Sequence, residues 1–165
     1  MNAYLVDAVR SLSAVLVATL LASMPATAAP PRVEPFDVAT WERLQKESPH
    51  PSAIVFTATY CANCPAVLTQ LSEALKKNGK KGDVVAVVID EADTQELLKS
   101  NHYLAATRLF LFSGNEAALR YKVEPRWRGV TPFVALIGAD GQMRFATGAP
   151  SDAQVTTWLA RPTKR

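Results

Sequence analysis

Cysteine and histidine are scarce in this chain, which has two of each among its 165 residues. Two cysteines can form one disulfide, so a framework of several bridges is excluded. A structural zinc site needs four ligands, and neither His50 nor His102 belongs to a pair with metal-ligand spacing. The sequence therefore predicts neither a resident metal nor an organic cofactor.

An excess of charge of one sign is also lacking. Eighteen lysines and arginines stand against fifteen acidic residues, which gives a formal net charge of +3, and the basic residues are scattered. Proteins that bind nucleic acid concentrate positive charge on one face, so nucleic acid is not an expected partner. The basic C-terminal tail, residues 161–165, is short and is interpreted as a solvated end.

A hydrophobic run long enough to cross a membrane is missing too. The N-terminal run without charge, Leu12–Leu21, has about half the length of a membrane span. Arg10 precedes it, and the small residues Ala26 and Ala28 follow it. This pattern predicts a signal peptide over residues 1–29 and export to the periplasm, with an uncleaved N-terminal anchor as the alternative.

The remaining chain is long enough for one hydrophobic core. Residues 30–36 are proline-rich and are interpreted as a linker, and residues 37–165 are expected to form a single domain. Strands are predicted over residues 53–57, 84–89, 108–112, 133–137 and 143–147, and helices over residues 37–47, from the cysteines to about 79, 93–100, 116–121 and 151–159. The order indicates an α/β fold, in which a central mixed sheet has helices on both faces and ends in a β-hairpin and a closing helix.

Both cysteines lie in one short stretch, Tyr60-Cys61-Ala62-Asn63-Cys64-Pro65, between a strand pattern and a helix pattern. A helix that begins at Cys61 would direct unpaired N–H groups and a positive dipole end towards its sulfur. Both effects favour the thiolate, which is the reactive form. The spacing therefore predicts a redox-active pair. A structural disulfide, which would close a small loop worth about 2 kcal/mol, and two buried small hydrophobic residues are the alternatives.

The strand, C-x-x-C and helix over residues 54–75 resemble the core of the thioredoxin superfamily. The later stretch that contains Ser113-Gly114-Asn115-Glu116, Gly129-Val130-Thr131-Pro132-Phe133 and Gly138-Ala139-Asp140-Gly141-Gln142 is similar, more specifically, to exported TlpA-type thiol–disulfide oxidoreductases. These carry an extra strand and helix between the C-x-x-C helix and a proline loop, and residues 93–121 have room for that insertion. The resemblance implies a thioredoxin-like fold over nearly the whole mature chain.

The resemblance also implies roles for five residues. Cys61 would be the attacking thiol and Cys64 the resolving thiol. Pro132 would be the family's cis-proline, and the backbone at Thr131 and the aromatic Tyr60 would contact the substrate. The implied activity is that of a protein-disulfide reductase, whose partners are protein thiols or disulfides in the exported compartment and, as electron donor, a membrane protein.

The chain departs from the family pattern where acids are usual. Val55 stands where thioredoxins have a buried acid near the cysteine pair, and Ala66 stands where many TlpA-type reductases have a glutamate. The dipeptide between the cysteines, Ala62-Asn63, matches no common variant. The sequence therefore does not identify a proton acceptor for Cys64.

Two other functions remain open. A copper metallochaperone of the Sco type would use Cys61 and Cys64 with His102, because thiolates and imidazole suit copper. The second alternative function is that of a thioredoxin-fold binding module with little turnover. The motif Arg126-Trp127-Arg128 is interpreted either as a partner-docking patch beside the proline loop or as a half-buried loop held by ion pairs.

Overall fold

The computed structural model describes residues 32–160. The predicted signal peptide, the alternative anchor and the basic tail lie outside the described residues. Within this part of the chain, no helix is both long and apolar enough to traverse a bilayer.

Six strands and five α-helices alternate along the described chain. The strands are β1 (Val33–Phe36), β2 (Ser52–Thr57), β3 (Val84–Val88), β4 (Arg108–Phe112), β5 (Phe133–Ile137) and β6 (Met143–Thr147). The helices are α1 (Val38–Glu47), α2 (Cys64–Lys77), α3 (Thr94–Lys99), α4 (Glu116–Val123) and α5 (Asp152–Leu159), and a short 3₁₀ turn (Asn101–Tyr103) follows α3.

The strands form one mixed sheet in the order β1-β4-β3-β2-β5-β6. The strands β1, β4, β3 and β2 run parallel to one another. β5 pairs antiparallel with β2, and β6 pairs antiparallel with β5. This is the mixed sheet, with its C-terminal hairpin and closing helix, that the sequence predicts.

The first strand corrects the linker assignment. Residues 33–36, interpreted from sequence as part of a linker, pair in parallel with β4. A strand at the edge of a sheet tolerates Pro35, since a proline there removes no N–H that the sheet needs. The pairing depends on a partner some 75 positions away in sequence (Val33 with Leu109), which a local pattern does not reveal.

Short polar side chains begin the helices where the sequence predicts. The Asp37 carboxylate accepts from the Thr40 N–H at 2.7 Å, and the Asp93 carboxylate accepts from the N–H groups of Gln95 and Glu96. Ser151 and Gln154 form a reciprocal capping box at the start of α5. Each bond satisfies an N–H that the first helical turn leaves without a partner.

Helices cover both faces of the sheet because β2 and β3 are apolar on both sides. On β2, Ala53 and Val55 pack in a cluster with residues of α2, α3 and α5. Ile54 and Phe56 pack on the other face with residues of α1 and α4. The continuous apolar run at residues 53–57 thus forms a strand covered on both faces, as predicted.

The closing helix is tied to the sheet by Trp158, which is fully buried. Its indole N–H donates to the carbonyl oxygens of Ser52 at 2.9 Å and Ile137 at 3.0 Å, which lie on neighbouring strands. The same side chain fills the core against α2. α5 therefore locks the β2–β5 pair on which the proline loop depends.

Replacing Trp158 should show this directly. Trp158→Phe removes the N–H that bonds two buried carbonyl groups, and we expect the free energy of unfolding to fall by about 2 kcal/mol. Trp158→Ala also leaves a cavity and should cost about 4 kcal/mol. Urea unfolding measures both. Thr157→Ala, at an exposed site one residue earlier on the helix, is the control. An effect of Trp158→Phe no larger than that of the control would contradict this role.

Candidate functional site

The cysteine pair lies at the carboxyl end of β2, in the turn that leads into α2. The Cys61 N–H donates to the Ala58 carbonyl at 3.0 Å, and the Cys64 N–H donates to the Cys61 carbonyl at 3.3 Å. These two bonds form consecutive tight turns. They bring the Cα atoms of the cysteines to 5.5 Å, and the two sulfur atoms form a disulfide.

The helix begins at the second cysteine, which corrects the expectation that it begins at Cys61. α2 starts at Cys64, and Asn63 occupies the N-cap position without a capping bond from its side chain. A helix starting at Cys61 would need a bond from the amide of residue 65 to the Cys61 carbonyl. Residue 65 is proline and has no N–H to give. Pro65 therefore delays the helix by one turn.

Both cysteine residues are buried, and Cys64 is the more shielded of the two. Cys61 is 7% exposed and Cys64 is 1% exposed. Ala58 and the half-buried Ile89 form the apolar surroundings of the pair.

The proline loop meets the beginning of α2 beside the disulfide. The Thr131–Pro132 peptide bond is cis, as the resemblance implies, and Pro132 lines a groove of about 420 Å³ together with Asn63 and Ala66. The Gly148 N–H donates to the Pro132 carbonyl at 2.8 Å. Because Gly148 immediately follows β6, this bond attaches the proline loop to the carboxyl end of that strand. The structure thus brings Pro132 to the turn that carries the cysteines.

The other predicted substrate contacts flank this groove along the chain. Tyr60, immediately before Cys61, is 78% exposed. Thr131, immediately before Pro132, is half-buried. It precedes the β2–β5 ladder, whose register begins with Phe56 opposite Phe133. Neither residue is itself a lining residue of the groove.

A carboxylate that the sequence analysis missed holds the chain just before the cysteines. Asp90 accepts from the Thr59 N–H at 3.0 and 3.1 Å, and also from the Thr59 hydroxyl. Asp90 follows β3, and Thr59 follows β2. Because the carboxyl ends of parallel strands meet at one edge of a sheet, an acid directly after the second buried strand was the available signal.

Tyr103, in the 3₁₀ turn, is the side chain whose titration this carboxylate affects. Burial raises the pKa of Tyr103 above its ordinary value, and the negative charge of Asp90 raises that pKa further. Tyr103 also packs in the core cluster beneath α2. The segment after β3 is therefore joined to the cysteine turn through packing and through one carboxylate.

The motif Arg126-Trp127-Arg128 forms a partly buried loop with an ion pair, which is one of the two interpretations given from sequence. The Arg126 guanidinium pairs with the Glu124 carboxylate at 3.0 Å. Trp127 is buried, and its indole N–H donates to the Val130 carbonyl at 2.9 Å. Arg128 is exposed. The loop is held by an ion pair and by a buried ring, and it still presents positive charge beside the proline loop.

The donor set of the copper alternative is not assembled. Among residues 32–160, no three histidine, cysteine or acidic side chains come close enough together to hold a metal ion. His102 is exposed and packs edge-on against Tyr103 instead.

A mixed sheet covered on both faces, with a C-x-x-C pair where β2 passes into α2, defines a thioredoxin-like fold, as predicted. A thioredoxin-related protein from Neisseria meningitidis serogroup B superposes with a TM-score of 0.50 and 21% identity, over 68% of this chain and 84% of that one. For a secreted disulfide oxidoreductase of Mycobacterium tuberculosis, described as homologous to E. coli DsbE, the TM-score is 0.44 and the identity 19%, over 66% of this chain and 78% of that one. For StoA from Bacillus subtilis, the TM-score is 0.44 and the identity 14%, over 68% of this chain and 84% of that one.

The sheet topology and the superposition on the Neisseria protein support the fold, and the activity is argued from the site. No protein-family model matches the chain, and no curated protein sequence matches it.

Titration of Tyr103 provides a test of the cluster beside the site. Its pKa is raised in the folded state, so its stabilising contribution is fully present below the pKa of an unfolded tyrosine. That contribution is lost as the pH rises through the folded-state pKa. Tyr103→Phe should therefore lose less stability than the parent protein between about pH 9 and 11. Urea unfolding at both pH values measures this, with the exposed Tyr121→Phe as control. Equal alkaline losses in Tyr103→Phe and the parent would contradict the assignment.

Proposed function

We propose that this protein exchanges disulfides with partner proteins, acting as a reductase in an exported compartment. The observation that carries the proposal is the disulfide between Cys61 and Cys64 beside a groove that contains Pro132. A bond between two cysteines three positions apart is easily opened and closed without unfolding the chain. A purely structural bridge of this size would add little stability.

Cys61 is proposed to be the attacking thiol. It is the more exposed of the two cysteines and precedes α2, whereas Cys64 lies within the helix and is almost fully buried. A partner sulfur reaches a residue in the turn more easily than one inside the helix. Main-chain N–H groups in the first turn of α2 can stabilise a thiolate on Cys61.

The reaction begins with the reduced dithiol. The Cys61 thiolate attacks one sulfur of a partner disulfide, forms a mixed disulfide and displaces the other partner sulfur as a thiolate. The Cys64 thiol gives its proton to the partner thiolate displaced in the first step and attacks Cys61, which releases the second partner thiolate and closes the Cys61–Cys64 disulfide. Two electrons have then passed to the partner, and another thiol protein, such as a membrane electron donor, must return the pair to the dithiol.

The groove is suited to a main-chain partner segment. None of its lining residues is charged; they are Asn63, Ala66, Val67, Gln70, Pro132, Gly148 and Ala149. Thr131 lies ahead of the β2–β5 ladder, so we infer that its backbone pairs with an extended partner chain, as in recognition by strand addition. Tyr60 supplies an exposed aromatic contact on the other side of Cys61.

Export is part of the proposal and is supported by the sequence of residues 1–29. An oxidising compartment supplies the partner disulfides on which a reductase acts. It also makes the dedicated electron donor necessary, because nothing else there keeps a dithiol reduced.

Trapping of mixed disulfides tests the roles of the cysteines. Cys64→Ser removes the resolving attack, so we expect covalent complexes with partner proteins to accumulate by about tenfold or more over the parent. Cys61→Ser should trap almost none, because the remaining thiol is buried. Non-reducing electrophoresis of the exported variants measures both, and the double Cys61→Ser, Cys64→Ser variant is the control. Equal trapping by the two single variants would refute the assigned roles.

Processing of the N-terminus tests export. We expect mass spectrometry of protein expressed in a bacterial host to find a new N-terminus at Ala29. Replacing Ala28 with a large charged residue should block cleavage, because the processing site requires small side chains. Recovery of intact chains beginning at Met1 in the membrane fraction would support the anchor instead.

A further inference from the structure

A second cavity lies next to the proline loop and has a different chemistry from the groove at the cysteines. Its volume is about 310 Å³. Trp127, Phe133 and Phe145 form its floor, and Arg126, Arg128 and Val130 stand at its rim. Glu124 and Thr147 also line this cavity, and we call these eight residues the aromatic slot.

The floor of the slot is a row of stacked rings. The ring centroids of Trp127 and Phe133 are 4.7 Å apart with an interplanar angle of 9°, and those of Phe133 and Phe145 are 5.4 Å apart with an angle of 16°. The indole N–H of Trp127 is already bonded to the Val130 carbonyl, so the floor offers no free donor. Phe145, on the edge strand β6, is half-buried. The row therefore suits an apolar, preferably aromatic, side chain.

The rim of the slot is positively charged. The Glu124 carboxylate, which also lines the cavity, accepts from the Arg126 N–H at 3.1 Å and from its guanidinium at 3.0 Å. These bonds lower the pKa of Glu124, so its charge is present and is offset by that of Arg126. Arg128 is exposed and has no carboxylate partner within residues 32–160. The slot thus has one positive charge in excess.

The slot lies across the proline loop from the proposed partner groove. Val130 and Phe133 line the slot, and Pro132, between them in sequence, lines the groove. Thr147 lines the slot, and the next residue, Gly148, lines the groove and donates to the Pro132 carbonyl. Two adjacent chain segments therefore separate the cavities. Val130, at the boundary, is 56% exposed.

We propose that the aromatic slot selects the partner: it binds a large apolar side chain with an acidic neighbour, on the same extended segment that carries the cysteine attacked by Cys61. The apolar side chain packs on the ring row, and the acidic neighbour pairs with Arg128. This inference rests on the proposed disulfide exchange. It adds a sequence preference that the uncharged groove at the cysteines does not provide.

Peptides with an activated disulfide test the preference. Each has a single cysteine joined to thionitrobenzoate, and a Phe-Asp pair stands about two to five residues from it on either side, since an extended chain advances about 3.3 Å per residue. The Cys61 thiolate of the reduced Cys64→Ser variant attacks the peptide sulfur. A protein–peptide disulfide forms, and thionitrobenzoate leaves as the coloured thiolate. The rate at which thionitrobenzoate is released gives the second-order rate constant for the reaction of Cys61 with the peptide.

At one of these distances from the cysteine, we expect the Phe-Asp peptide to react about tenfold faster than the matched Ala-Asp or Phe-Lys peptide. A tenfold change in rate is what burying part of one aromatic ring, or pairing one charge, would produce. Arg128→Glu should abolish the advantage of Asp over Lys and leave the rate with a small disulfide unchanged. Lys81→Glu is the control, because it makes the same change of charge at the amino end of β3, away from the cysteines. Phe145→Ala should reduce the preference for Phe.

The outcomes separate this inference from the proposed function. If Cys61 does not react even with the small disulfide, the disulfide exchange itself is refuted. If it reacts with the small disulfide and with all peptides at one rate, the slot has no role in selection. If Arg128→Glu instead dissociates a dimer of the parent protein in sedimentation experiments, the slot binds a second copy and the proposal is overturned.

Discussion

The pairing of β2 with one parallel and one antiparallel neighbour positions every part of the candidate site. β3 runs parallel to β2, so Asp90 and Thr59, which follow the two strands, meet at one edge of the sheet. β5 runs antiparallel, so its beginning lies opposite the end of β2, and Phe133 pairs with Phe56. That register places Pro132 beside the turn of the cysteines. Three stretches of sequence thus converge because of one strand that is buried on both faces.

The surroundings of the disulfide are apolar, and this limits how the thiols can be activated. Val55 packs in the core beneath α2, and Ala58 and Ile89 contact the pair. Asp90, the acid that follows the neighbouring strand β3, is already engaged by Thr59. A thiolate in apolar surroundings is destabilised unless dipoles face it. For the proposed exchange, the positive end of the α2 dipole, which begins at Cys64, has to supply that stabilisation.

The sequence predicts what depends on neighbouring residues and fails where distant partners decide. The predicted helix starts near Asp37, Asp93 and Ser151 and the apolar runs of the inner strands depend on local signals, and they are confirmed. The edge strand β1 was missed because its formation depends on β4. The start of α2 was predicted three residues too early, although the missing N–H of Pro65 was visible in the sequence. The clamp of Asp90 on Thr59 requires the sheet order, which no local pattern gives.

The proline loop is held from the side of α4 as well as from the residue that follows β6. Gly129 adopts φ +81°, a conformation that favours glycine, and a Cβ atom there would lie 2.7 Å from Nη1 of Arg120 on α4. Arg120 thus packs directly beneath the loop, and Trp127 holds it from the slot through the bond to Val130. A partner side chain that displaces Val130 or the rings must act on a segment fixed at both ends. A partner bound in the slot, as proposed, is therefore expected to contact the same loop that carries Thr131 and Pro132.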